Sequence, residues 1–395
     1  MGDKRRIAVI FGGQSSEHEV SRVSAESVLR NINSEKFDVA MIGITKDGRW
    51  LHYDGPVEYV GSGEWQKYAE AKALSPGSQV KAVAAGNGCE CCSQDNVNDA
   101  CTAAGQEAGT SARNILNMAG GENENGRIDV VFPVLHGCNG EDGTIQGLFE
   151  LAGVPYVGPG VLGSALGMDK AYAKIVFEKE GLPQGNYLVF SRKQVEREID
   201  RLVARVEEVL TYPCFVKPSN AGSSVGVTKA SDRAKLVEGL QVAARHDRRI
   251  LVEEFINGRE IECAVLGNDD PIASTVGEVV PCNEFYDYEA KYSSGDDSKV
   301  VIPADLPQKT IAEIREYAVR AFKALDCAGL SRVDFFVHKE TGKVYINEIN
   351  TIPGFTRISM YPKLWEASGI PYPQLIERLI ELAIERFEDS RRDMD

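Results

Sequence analysis

A chain of 395 residues is too long for one ordinary hydrophobic core, so two to three domains are expected. Its 59 Asp and Glu against 44 Lys and Arg leave a net charge of −15, which argues against a general nucleic-acid surface but allows a local basic pocket. No apolar run reaches membrane-spanning length, and the start Met1-Gly2-Asp3-Lys4-Arg5-Arg6 has neither a signal-peptide core nor the Ser or Thr that myristoylation needs where Arg6 stands, so a cytoplasmic protein is expected.

In chain order, Ile7 to Phe11 is a short apolar run ending in Gly12-Gly13, after which Ala25, Val28, Leu29 and Ile32 recur at helical spacing. Strands are predicted over Phe37–Ile44, Ile128–Leu135 and Val154–Gly158, giving a parallel α/β domain over residues 1–160. Within it, residues 78–126 are rich in Gly, Ala, Asn, Ser and Cys, and read as an inserted loop with a helical piece at Ser111–Met118, expected to be dispensable for chemistry. Its Cys89, Cys91, Cys92 and Cys101 lack the paired spacing of a zinc site, and the five other cysteines are scattered singly, so reduced thiols are expected.

A second α/β unit, residues 161–258, begins with helices at Lys170–Glu180 and Gln194–Leu210 and a strand at Tyr212–Lys217. The strand runs into Pro218-Ser219-Asn220-Ala221-Gly222-Ser223-Ser224-Val225-Gly226, small residues whose backbone amides can approach phosphate closely. This is not a Walker loop, and taken alone it also fits an ordinary glycine-serine connection. A strand at Arg249–Ile256 then reaches a boundary at Gly258.

The last unit, residues 259–395, holds a strand at Glu260–Gly267, a polar loop at 283–305 with the character of a lid, a hairpin, and a long amphipathic helix carrying Leu375, Ile376, Leu379, Ile380, Ala383 and Phe387. In the hairpin Val333, Phe335 and Val337 alternate with Asp334, Phe336 and His338, a turn follows at Lys339–Lys343, and Val344–Asn350 returns. Side chains two apart share a face, so Glu348 and Asn350 project together with Asp334 opposite. Two carboxylates and an amide suit a hard cation whose remaining places go to phosphate oxygens and water, although a solvated strand face has the same pattern. Lys170, Lys217 and Lys291 lie in separate segments and together can neutralise a triphosphate.

The motifs Ser15-Ser16-Glu17-His18-Glu19-Val20-Ser21, Leu135-His136-Gly137, Gly140-Glu141-Asp142-Gly143, Met168-Asp169-Lys170, the Lys217 loop, Tyr288-Glu289-Ala290-Lys291-Tyr292 and Asn347-Glu348-Ile349-Asn350-Thr351-Ile352-Pro353-Gly354-Phe355-Thr356 occur together and in one order. By them the chain resembles the D-alanine:D-alanine ligases. The resemblance implies a three-domain ATP-grasp fold with nucleotide between the second and third domains, and ATP-driven joining of two D-alanine molecules through a D-alanyl phosphate. It also implies that Lys170, Lys217 and Lys291 bind phosphate with Ser224. Glu253, Phe255, Ile256, Glu260 and Phe285 would meet the adenosine, and Asp334, Glu348 and Asn350 would hold two Mg2+ ions, or Mn2+. Glu17 would receive the first D-alanine's ammonium and form a closing triad with Ser223 and Tyr292, beside His136. Ser359 and Met360 would lie at the second D-alanine, while Arg332 and the amide of Gly354 stabilise the oxyanion. A homodimer is the expected assembly.

A sister ligase that takes D-lactate or D-serine second is the nearest rival. The Lys291-Tyr292 pair and the lack of histidine over 283–305 count against lactate, whereas Met360 alone constrains a hydroxyl preference weakly. A silent binding protein on the same fold has no use for an oxyanion donor such as Arg332, and a dinucleotide dehydrogenase lacks its spaced glycine fingerprint at Gly12-Gly13.

Overall fold

In the computed structural model, residues 4–73, 127–222, 225–281 and 298–391 are described. The expected insertion 78–126 with its cysteines and helical piece therefore lies outside the described residues, as do Ser223, Ser224, Phe285, Lys291 and Tyr292.

The first sheet holds β1 (Arg5–Gly12), β2 (Phe37–Ile44), β3 (Trp50–Tyr53) and β4 (Val130–Val134) in the order β3-β2-β1-β4. Strand β1 pairs parallel with β2 and β4, but β3 runs antiparallel to β2, so the sheet is mixed rather than parallel throughout. The strand expected at Val154–Gly158 reduces to a single bridge between Val131 and Tyr156. Pro155 has no N–H to donate, and Gly158-Pro159 ends the segment before a ladder can grow. Helices α1 (His18–Asn31), α2 (Glu58–Ser62), α3 (Trp65–Ala73), α4 (Thr144–Ala152) and α5 (Val161–Met168) accompany this sheet.

Next come α6 (Lys170–Lys179), β5 (Tyr187–Ser191), α7 (Arg192–Val209), β6 (Cys214–Pro218), β7 (Thr228–Ala230), α8 (Arg233–His246) and β8 (Arg249–Glu254). The antiparallel sheet β5-β8-β6-β7 buries Val216, Ile250 and Val252 against Val203, Val206, Leu236 and Leu240 of α7 and α8. Helix α7 starts with a capping box, in which Ser191 and Gln194 exchange side-chain and backbone hydrogen bonds.

The third sheet has the order β11-β10-β9-β12-β13, built from β9 (Gly258–Gly267), β10 (Ile272–Pro281), β11 (Ser298–Val301), β12 (Gly329–His338) and β13 (Val344–Asn350). Alternation in β12 works as expected: Val333, Phe335 and Val337 are buried against α9 (Gln308–Ala324), while the intervening residues face a large cavity. Helices α10 (Met360–Ala367) and α11 (Tyr372–Asp389) complete the chain's described elements.

The long α11, assigned from sequence to the last unit, shares one core with both ends of the molecule. Leu375, Ile376, Leu379 and Ile380 pack in the same cluster as Ile7, Val9 and Phe11 of β1 and Leu330 of β12. Arg386 donates to the carbonyls of Gly158 at 2.8 Å and Tyr156 at 3.2 Å, with its guanidinium 4.1 Å from the centre of the Tyr156 ring. Glu377 accepts from Lys36 at 2.7 Å and Asn33 at 2.8 Å, adding polar ties to the same junction.

Candidate active site

The three sheets enclose a cavity of about 1770 Å³. Its walls include Glu17, His136, Lys170, Lys217, Glu253, Phe255, Ile256, Glu260, Arg332, Asp334, Glu348, Asn350, Gly354, Ser359 and Met360, so the structure brings together the described members of the sequence-derived set.

The β12-β13 hairpin owes its geometry to pairing. Asp334 stands opposite Glu348 across β12 and β13, and Arg332 stands opposite Asn350, with a register shift just beyond Asp334. On the other side Asp334 faces Glu262 of β9. Like charges opposed across a sheet repel, and cations relieve this. The Arg332 fork donates to both oxygens of Asp334 at 2.7 Å, and its Nε lies 2.9 Å from Glu262. Burial alone would lower the Arg332 pKa, but Asp334 and Glu262 outweigh it and raise it well above the ordinary value. Asn350 donates to Asp334 at 2.9 Å, and Lys170 lies 3.3 Å from Glu348. Among the described residues no three His, Cys, Asp or Glu side chains form a metal cage by themselves. Two carboxylates and an amide that line the cavity are nevertheless a donor set that suits Mg2+ when nucleotide oxygens and water complete its octahedron.

The Lys170 end of the cavity is set by Asp169. Its carboxylate caps α6 by accepting from Tyr172 N, takes the Ser219 hydroxyl at 2.5 Å and the Asn220 amide at 3.0 Å, and pairs with Arg249. A backbone bond from Lys170 N to the Ser219 carbonyl and one from Ala171 N to the Ser219 hydroxyl fasten the helix start to the loop after β6, and Lys170 Nζ donates to the Ala221 carbonyl at 3.0 Å. The contact uses backbone, so alanine at 221 satisfies it. Deeper in, Glu253 bridges Lys174 and Lys217, each 2.6 Å away. Burial would push the Glu253 carboxyl up, but the two ammonium groups hold it down at about 2.

At the other end, Glu17 sits just before α1 with its carboxylate against two glycines. A Cβ at either Gly137 or Gly222 would stand 2.5 Å from Glu17 Oε2, so a side chain at either position would push the carboxylate from its place, and Gly137 is held to glycine as well by its φ of +75°. His136 Nδ1 is 3.0 Å from the Ile352 carbonyl and Nε2 is 3.1 Å from the Ser24 hydroxyl. A carbonyl only accepts, so Nδ1 carries the proton and Ser24 donates to Nε2. Burial lowers the His136 pKa against the opposing pull of Glu17 and Ile352, in keeping with a neutral ring. The loop after β13 is held by Glu141, which accepts from Gly137 N at 2.9 Å and Ile352 N at 3.1 Å. Ser359 stands just before α10 without a capping bond from its side chain; its hydroxyl accepts from Thr356 N at 3.0 Å and lies 2.8 Å from that of Thr356.

Sequence reasoning assigned no role to Lys174, Glu262, Glu141 or Ser24. Lys174 lies four residues after Lys170, on one helix face, and Glu262 lies two after Glu260, on one strand face; those spacings were the available signal.

Residues 6–159 match a family described as D-ala D-ala ligase N-terminus, and residues 176–381 match D-ala D-ala ligase C-terminus. A relative from Ruminiclostridium cellulolyticum named D-alanine--D-alanine ligase is 68% identical over 99% of this chain and 98% of its own length. Among solved structures, the D-alanine-D-alanine ligase from Coxiella burnetii is 34% identical with a TM-score of 0.77, covering 98% of this chain and 96% of its own. The VanG D-Ala:D-Ser ligase from Enterococcus faecalis is 37% identical, also at 0.77, covering 96% of this chain and all of its own.

Proposed function

This chain belongs to the D-alanine:D-alanine ligase family and has its ATP-grasp fold, and from that premise we propose how its residues divide the work. The protein joins two D-alanine molecules to D-alanyl-D-alanine for peptidoglycan synthesis, with ATP as cosubstrate. The equal likeness of fold to a D-serine-using enzyme carries no preference, whereas the 68% identity to a D-alanine enzyme does.

The first D-alanine binds with its ammonium at Glu17, beside neutral His136. Its carboxylate oxygen attacks the γ-phosphorus of ATP; the new O–P bond forms as the bond to the β-phosphate bridging oxygen breaks, giving D-alanyl phosphate and ADP. Lys170 and Lys217, with Lys291 and Ser224, take up charge on the phosphates. Asp334, Glu348 and Asn350 would hold two Mg2+ ions, or Mn2+, which when bound neutralise the transferring group. Phe255, Ile256, Glu253 and Glu260, with Phe285, hold the adenosine. The second D-alanine, its carboxylate at Ser359 and the N-terminus of α10 beside Met360, attacks the acyl carbonyl with a neutral amine. Arg332 and the amide of Gly354 receive the oxyanion, and phosphate leaves as the C–O bond breaks. Tyr292, Ser223 and Glu17 close the site against water.

The observation that carries this reading is the meeting, in one cavity, of Lys170 and Lys217 with the facing Asp334 and Glu348. The residue ranges 1–160, 161–258 with 259–395, a lid at 283–305, a homodimer and a cytoplasmic place belong to the same proposal; among the described residues no helix is long and apolar enough to cross a membrane. A coupled ATPase assay offering D-alanine, D-serine or D-lactate as second substrate tests it. Product should form with D-alanine and require Mg2+, and Tyr292→Phe should raise phosphate released per dipeptide. Preferential use of D-serine would overturn the substrate assignment.

A further inference from the structure

Helix α6 carries two lysines one turn apart, and they take different partners in the cavity. Lys170 reaches Glu348 and the Ala221 carbonyl at the phosphate end. Lys174 turns inward to Glu253, whose strand β8 places it between Tyr187 of β5 and Phe215 of β6. Both members of this second pair are shut away from water, with Lys174 at 3% exposure and Glu253 at 7%. The Lys174 ammonium also lies 5.5 Å from the centre of the Tyr187 ring, and its backbone carbonyl accepts from Gln184 at 2.9 Å, so the side chain starts from a fixed point.

Glu253 has a second cation in Lys217, but the two are not equivalent. Lys217 stands beside Glu348 and Glu260 as well and faces the space where the triphosphate enters. An incoming phosphate oxygen competes for it. When Lys217 turns to phosphate, one Glu253 oxygen is released, and Lys174 alone keeps the carboxylate charged and in place. A carboxylate held by one oxygen and bare at the other is an acceptor only, suited to the exocyclic amino group of adenine and unsuited to a base that presents a carbonyl there.

We propose that Lys174 is a positioning residue for nucleotide choice, holding Glu253 so that its freed oxygen accepts from the 6-amino group of the purine when Lys217 moves to the phosphates. This rests on the reading of Glu253 as an adenosine contact. It adds an exchange of partners in which phosphate binding at Lys217 uncovers the base-reading atom of Glu253 beside it. A buried carboxylate stripped of both lysines is costly, so without Lys174 the exchange stalls.

The test compares ATP with purine riboside triphosphate, which lacks only the 6-amino group, in wild type, Glu253→Gln, Lys174→Met and Lys174→Gln. The wild type should prefer ATP in kcat/KM by about tenfold or more, the size of one good hydrogen bond to a charged group. Glu253→Gln should lose most of that preference. Lys174→Met should lose it too, with the change falling on KM for ATP rather than on KM for D-alanine. Lys174→Gln keeps a donor in the same place without the charge and decides the matter if the Met variant does not fold. A wild type that does not distinguish the two nucleotides would remove the base-reading role of Glu253 and this inference with it. A preference that is present in wild type, lost in Glu253→Gln and kept in a folded Lys174 variant would overturn the positioning role alone. Equal loss of affinity for both nucleotides in the Lys174 variants would overturn it as well, since that is what a direct phosphate contact or simple packing produces.

Discussion

Glu141 links the first and third sheets through two backbone amides, Gly137 N and Ile352 N, yet burial and the neighbouring Glu17 push its carboxyl up to about 8. Between its ordinary value of 4.5 and about 8 the folded chain keeps a proton there that the unfolded chain has given up. Stability from this group is therefore complete at low pH and is lost as pH rises through that window. Glu141→Gln cannot ionise, so its melting temperature should fall less than that of wild type between about pH 4.5 and about pH 8, as seen by calorimetry. Parallel curves would show that Glu141 is already ionised in the folded protein. Arg332 gives the second prediction at this scale. Its fork spans Asp334 and reaches Glu262, an arrangement that a point-like ammonium cannot copy. Arg332→Lys should retain the fold by circular dichroism and lower kcat by about 10²-fold. These roles show what sequence conveys about a site. Asp334, Glu348 and Arg332 were legible because they fall within one short hairpin of period two. Glu262, Glu141 and Ser24 were not, because each acquires its partner only when distant segments pair.

At the scale of the element, the β9-β12-β13 ladder sets Glu262, Asp334 and Glu348 side by side in three adjacent strands. Arg332 and Lys170 cover part of that charge, and a divalent cation with nucleotide would cover the rest. Mg2+ with a non-hydrolysable ATP analogue should raise the melting temperature of wild type, and Glu348→Gln should reduce that rise by at least half while abolishing most turnover at limiting Mg2+. An unchanged rise with unchanged turnover would mean that the hairpin is not the metal site. Alternation made β12 and β13 readable, and the Asp169-Lys170 junction made the start of α6 readable. Strand β3 escaped notice because four residues are too few for a pattern, and Val154–Gly158 misled because apolar content alone does not supply the N–H groups of a ladder.

Across the whole molecule, the sequence leads to an expectation of three units divided near Gly160 and Gly258, but it does not place α11. Its apolar stripe says that it is covered and does not say by which sheet. In the structure it is covered by both the first and the third. Arg386→Ala removes two charge-assisted hydrogen bonds to the Tyr156–Gly158 segment and should cost roughly 1.5–3 kcal/mol in chemical denaturation, with kcat for the folded fraction little changed. A change confined to activity would place Arg386 in the chemistry instead. The same helix imposes an order on biosynthesis. Helix α1 and Trp65 cover β1 soon after it is made, but Tyr372–Asp389, which completes the same core at β4, is translated only after both later sheets. The first sheet emerges early and its core is finished late, so for most of translation the apolar residues that α11 covers stand open to water.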